Sequence, residues 1–128
     1  MLANRKRDSA ARLTRNSRIF KAIIKAIQDK KGEEIVSLDL RKIPEAVADF
    51  FIICSASSGT QLKAIADNVE YEVKEQTNEI PYKQEGRQSM HWVLVDYINI
   101  VVHVMHPEQR KFYRLEELWS DAPSQEHL

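Results

Sequence analysis

The stretch His91-Trp-Val-Leu-Val-Asp-Tyr97-Ile-Asn-Ile100-Val-Val-His-Val-Met105 decides how the rest of this 128-residue chain must fold. It is dense in Val, Ile and aromatic residues and is broken only at Tyr97-Ile98-Asn99, so it reads as two strands joined by a tight connection. In the second strand Ile100, Val102 and Val104 share one face, and Val101, His103 and Met105 share the other. Neither face is polar throughout, so both are expected to be covered. Trp92, Asp96, Asn99 and His103 depart from apolar filling and are the first candidates for a role beyond the core.

Upstream, Asp49-Phe-Phe-Ile-Ile-Cys-Ser55 holds five consecutive apolar residues, too short a run for a buried helix, and is expected as a central strand. A small polar turn, Ser55-Ala-Ser-Ser-Gly-Thr-Gln61, leads into a helix with Leu62, Ile65, Ala66, Val69 and Val73 on one face. Strand, helix and the strand at Trp92 are expected to form a right-handed crossover with parallel strands, which makes the sheet mixed. Residues 34–40 alternate, with Val36, Leu38 and Leu40 opposed to Ser37 and Asp39, as in a half-exposed strand near a sheet edge. Such an edge would allow two free copies to pair as a homodimer. Before it, Ser17 or Asn16 caps a helix carrying Ile19, Phe20, Ile23, Ile24 and Ile27, which Gly32 ends. Residues 77–90 have no strong period and leave room for one short strand before Glu85-Gly86. Pro107 opens a last helix with Phe112, Leu115, Leu118 and Trp119, stopped at Asp121-Ala-Pro123.

The expected class is α/β in the α+β sense, a small mixed sheet flanked by helices. One domain spans residues 17–122, with a basic, flexible arm at 1–16 and a frayed tail at 123–128. The balanced net charge conceals a division along the chain. Residues 1–31 hold ten Lys and Arg against two Asp, a net +8, and the remainder is −8. A basic arm on an acidic body suggests nucleic acid at one end and a basic protein surface at the other. An Arg-rich organellar leader has a similar composition, but nothing marks a cleavage site. The single cysteine, Cys54, lies inside the apolar run, which argues for a reducing compartment and a packed thiol. With no apolar segment near 18 residues and no secretory signal, a cytoplasmic setting is expected.

Several strings agree in order with one family: Asp49-Phe-Phe-Ile-Ile-Cys-Ser55, Gln61-Leu-Lys-Ala-Ile-Ala-Asp67, Glu85-Gly86, Trp92-Val-Leu-Val-Asp-Tyr97, Val101-Val-His-Val104 and Arg110-Lys-Phe-Tyr-Arg-Leu-Glu-Glu-Leu-Trp119. From about residue 19 to 122 the chain resembles the ribosomal silencing factor family, also called Iojap-related. The resemblance implies a nucleotidyltransferase-like fold, a bacterial or bacterium-derived setting, and a binding function. Members dock on protein fourteen of the large ribosomal subunit and block joining with the small subunit, repressing translation. On that basis Trp92, Asp96, Tyr97, Asn99, Met105 and Glu85 are the expected partner-binding residues. Trp92 leads, because tryptophan is enriched among residues that dominate binding energy. One departure stands out: the family's Gly-Asp after the Asp-Tyr pair is Ile98-Asn99 here. The glycine implies positive φ, so either the turn shifts by a residue and Asn99 takes that conformation, or the connection is of a different type.

An enzyme with the implied fold would need a small Gly-Ser turn for phosphates and two or three carboxylates for divalent metals. Ser58, Gly59 and Thr60 offer an anion-binding helix N-terminus. The acids are missing: no Asp-X-Asp follows, and Asp39-Leu-Arg41 puts a cation where a second carboxylate belongs. The expectation is therefore no catalysis, no cofactor and no metal, with the turn serving as a helix cap. His103, His106 and Cys54 do not share a strand face and are expected to be structural. Asp67 would meet Asp96 only if the crossover is built as supposed. The alternative functions are an RNA-binding module acting through the arm and a metal-dependent nucleotidyltransferase.

Overall fold

The computed structural model describes residues 13–128, so most of the expected basic arm lies outside the described residues. Among the described residues four helices and six strands follow in the order α1 (Arg18–Asp29), β1 (Glu33–Asp39), β2 (Phe50–Ser55), α2 (Gly59–Thr77), β3 (Lys83–Glu85), β4 (Trp92–Asp96), β5 (Ile100–Met105), α3 (Pro107–Tyr113), α4 (Leu115–Leu118) and β6 (Ser124–His127). The strands form one mixed sheet in the order β3-β4-β5-β2-β1-β6. As expected, the Trp92 stretch is two antiparallel strands, with Trp92 opposite Met105 and Leu94 opposite His103.

The crossover differs from expectation. The strand parallel to β2 is β5, in the register Phe50–Ile100 to Ser55–Met105, and β4 is antiparallel to β5. The tight β4–β5 connection lays β5 against β4, and β5 then fills the place beside β2 that the sequence reading assigned to the Trp92 strand. β5 is the more apolar of the two and is buried at every position, as a central strand must be.

The first face of the sheet packs on α1 and α2. Ile19, Phe20, Ile23 and Ile27 of α1 and Leu62, Ile65, Val69 and Val73 of α2 bury against Phe50, Ile52, Cys54, Ile100, Val102 and Val104. Each such aliphatic side chain contributes roughly 1.5–3 kcal/mol of transfer free energy, which makes this layer the main source of stability. Ser17 occupies the N-cap of α1 without capping it, because its Oγ accepts the Thr14 N–H at 2.9 Å. The left-handed residue after α1 is Lys31, at φ 65°, rather than Gly32. Gly32 is needed for space instead, since a Cβ there would run into the Ile27 side chain.

Three further expectations are corrected. β1 is not a half-exposed edge: Ser37 and Leu38 are both buried, and β6 lies alongside it. Edge pairing of two copies through β1 is therefore closed by the chain's own end. Residues Ser124–His127, expected to fray, are that strand, and His127 Nε2 hydrogen-bonds Ser37 Oγ at 2.8 Å. The last helix is two short ones, broken where Arg114 takes the left-handed region at φ 51°.

Candidate functional site

The second face of the sheet carries Trp92 and Met105, and its cover is thinner. Leu38, Leu40, Ile53 and Met105 are buried there, but Phe51, Trp92, Leu115 and Trp119 are only partly so. The reason lies in the covering helices: α3 has seven residues, α4 has four, and neither buries a single residue. Across this face runs a row of rings. Trp119 meets the Phe51 ring edge-on at 6.0 Å, Phe51 meets His103 at 4.6 Å, His103 lies 5.9 Å from Trp92, and Trp92 is 4.9 Å from Tyr113. Phe112 continues the row at 5.0 Å from Tyr113. His103, in the middle of the row, is buried, and Phe51 and Trp119 are partly so, whereas Tyr113 is 49% and Phe112 76% exposed.

Trp92 is fixed within this row. Its Nε1–H donates to His103 Nδ1 at 3.1 Å. His103 is buried, and desolvation alone depresses its pKa to about 3, so the imidazole is neutral and its Nδ1 lone pair available. Glu85 stands opposite Leu94 on the neighbouring strand, hence on the Trp92 face at the β3 edge. It is exposed and pairs with Lys83 at 3.1 Å.

The other residues nominated by sequence are placed differently. Met105 is on the Trp92 face but wholly buried, so it backs the tryptophan instead of meeting a partner. Asp96 is buried, and its Oδ1 accepts the Ile98 N–H at 2.7 Å. Tyr97 belongs to the opposite layer, packed with the helix-side core; its hydroxyl pKa is raised, first by burial and then by Glu70 and Glu79. Asn99 holds the sheet end together, its carbonyl accepting the N–H groups of Asp49 and Phe50. The positive φ falls on Ile98, at 74°, and Asn99 does not take it.

At the start of α2, Ser58 Oγ caps the Gln61 N–H at 3.1 Å, and Gln61 Oε1 accepts the Ser57 N–H at 2.8 Å. The turn that holds Ser58, Gly59 and Thr60 is thus engaged by its own helix, as a cap would be. Asp67, on α2, is held by Lys63 and Arg87; burial works to raise its pKa, but the two cations outweigh it and lower the pKa. Asp96 shares the face of Leu94 and Trp92, on the side of the sheet away from α2, so the expected carboxylate pair is not formed. Among the described residues no group of three His, Cys, Asp or Glu is placed to hold a metal. Two grooves, of about 710 and 610 Å³, share Glu34, Arg110 and Glu116 and contain none of the nominated residues. Arg110 is already engaged there, by both Glu116 oxygens, Ser55 Oγ and the Glu34 carbonyl.

Tyr113 and Phe112 were not nominated by sequence, although a signal existed. Adjacent helical residues point about 100° apart, so Phe112, Tyr113, Leu115, Leu118 and Trp119 cannot all face one core. At least one aromatic had to be left outside.

Comparison with known proteins agrees with this architecture. Residues 14–128 match the family described as ribosomal silencing factor during starvation. The chain is 40% identical to ribosomal silencing factor RsfS of Halalkalibacterium halodurans over 111 residues, covering 87% of this chain and 93% of the relative. It is 42% identical to the Bacillus subtilis protein of the same name, over 82% of this chain and 87% of the relative. The chloroplastic protein Iojap of Zea mays is 32% identical over 79% of this chain and 43% of its own length. A crystal structure of a Chromobacterium violaceum protein superposes with a TM-score of 0.75 at 38% identity, covering 80% of this chain and 83% of that one. On the family match and these identities, this chain belongs to the ribosomal silencing factor family.

Proposed function

We propose that this chain docks on protein fourteen of the large ribosomal subunit through the Trp92 face of its sheet and blocks joining of the small subunit by occupying space. The observation that carries the reading is the aromatic row Trp92–Tyr113–Phe112, ordered at one end and exposed at the other. Tyr and Trp supply large contact area with little rotamer entropy to lose, and they dominate binding hot spots. The surrounding body is acidic, with Glu85 at the rim of the face, which suits a basic partner and accelerates encounter. Occupancy is sufficient for such a block, so neither turnover, nor cofactor, nor metal enters. The relatives' names describe regulation of ribosomes, in keeping with action on translation in the compartment where ribosomes work.

The test is reassociation of separated subunits in the presence of the purified protein, without nucleotide or added metal. Inhibition should track occupancy on the large subunit, and Trp92→Ala should weaken binding by about thirtyfold, the equivalent of about 2 kcal/mol. Unimpaired reassociation at full occupancy would refute the steric mechanism. A chain lacking residues 1–12 keeps Leu13 and Arg15, which contact Asp49 and Asp39. It should still bind, with a shallower salt dependence; loss of binding with competition by naked RNA would favour the basic arm as the recognition element.

A further inference from the structure

We propose that His103 is a positioning residue for docking: it fixes the Trp92 indole in the orientation the partner meets. The inference rests on the docking function proposed above. A buried histidine at the centre of an apolar sheet is costly unless its polar atoms are paired. Its neighbours on the same face of β5, Val101 and Met105, show what simple filling of that layer looks like. His103 makes one side-chain hydrogen bond, the one Nδ1 accepts from Trp92 Nε1–H, while its buried Nε2 has no partner among the described residues. Accepting at Nδ1 places the ring proton on Nε2. For stability alone the residue is a poor choice; for holding an indole it is well placed. Phe51 presses against the imidazole at 4.6 Å, and Tyr113 lies against the indole at 4.9 Å, so neither ring of the pair is free to swing.

The benefit is one of preorganisation. A tryptophan fixed before contact loses less freedom on binding than one that samples rotamers in the free protein. Two replacements separate this role from packing. Asn offers its Oδ1 close to the position of Nδ1, whereas Leu has the same branched shape and no acceptor.

Dissociation constants for purified large subunits, measured beside melting temperatures, decide the matter. His103→Asn should bind close to wild type, and His103→Leu roughly three- to tenfold more weakly, the range expected for one freed side chain. The melting temperature of His103→Leu should equal or exceed that of His103→Asn, so affinity and stability move in opposite directions. Equal affinities for the two variants would overturn the inference. Should both fail to fold, the ¹⁵N shifts of the wild-type imidazole and the Trp92 indole N–H report directly: a ring protonated on Nε2 supports the proposal, and one protonated on Nδ1 ends it. Trp92→Ala separates the two levels. If it binds normally, the docking role of Trp92 fails and this inference with it; if it binds weakly while His103→Leu binds normally, only the inference falls.

Discussion

Asp96 Oδ1 accepts the backbone N–H of Ile98 at 2.7 Å, and this bond holds a β-branched residue at φ 74° between β4 and β5. Asn99 N–H closes the same turn on the Tyr97 carbonyl at 2.9 Å, a three-residue γ-turn of the strained hand. A β-branched side chain in this region costs roughly 1–3 kcal/mol. Ile98→Gly should relieve that strain and, after the extra freedom glycine gives the unfolded chain, raise stability by about 1 kcal/mol. A thermal melt checks it, with an increase of a few degrees expected. Asp96→Asn keeps the acceptor and should melt near wild type, whereas Asp96→Ala should lose about 1 kcal/mol.

Acid should destabilise the fold through His103 before it reaches the carboxylates. Burial lowers the folded-state pKa to about 3, while the unfolded histidine titrates near about 6.5. Between those values the unfolded chain takes up a proton that the folded chain refuses, so stability is complete above about pH 6.5 and falls as pH drops towards about 3. The slope approaches about 1.4 kcal/mol per pH unit in that window. Denaturant melts from pH 7 to 4 should show it in wild type and a much shallower fall in His103→Asn, where His127, its pKa lowered first by burial and then by Arg15, still contributes.

Cys54 should be inert until the protein opens. It is fully buried, and desolvation raises its pKa to about 12, so almost no thiolate exists at pH 8. Alkylation by iodoacetamide is expected only in denaturant, with a rate that follows the unfolded fraction.

Removal of residues 123–128 should be costly for so polar a segment. It deletes β6, uncovers the β1 edge and breaks the His127–Ser37 bond. A loss of about 2 kcal/mol or more is expected from the ladder bonds alone, together with concentration-dependent association visible by sedimentation, since an unpaired edge recruits other strands.

The elements legible in sequence were those whose burial writes a period. α1 and α2 carry apolar stripes, and β2 and β5 are apolar but for Ser55 and His103, so the pattern alone locates each within a few residues. Strand neighbours were not legible, because β4 and β5 are both apolar and nothing local says which one abuts β2. Ser-Gln-Glu-His of β6 has no apolar pattern, and its pairing depends on a partner some ninety residues away. At the site, Trp92 was visible as a residue type. Its bond to His103 was not, since that depends on the β4–β5 register, and Tyr97 lies in the other layer because the face it shares with Val93 and Val95 leads to the helices.

The unequal cover of the two sheet faces has a consequence for how this protein can change. With the Trp92 face as the docking surface proposed above, substitutions beneath α1 and α2 should be felt in how much protein survives folding, and those around Phe112, Tyr113 and Trp92 in what the survivors hold on to. A lineage could therefore retune its grip on a drifting ribosomal surface while leaving the helix-backed layer untouched.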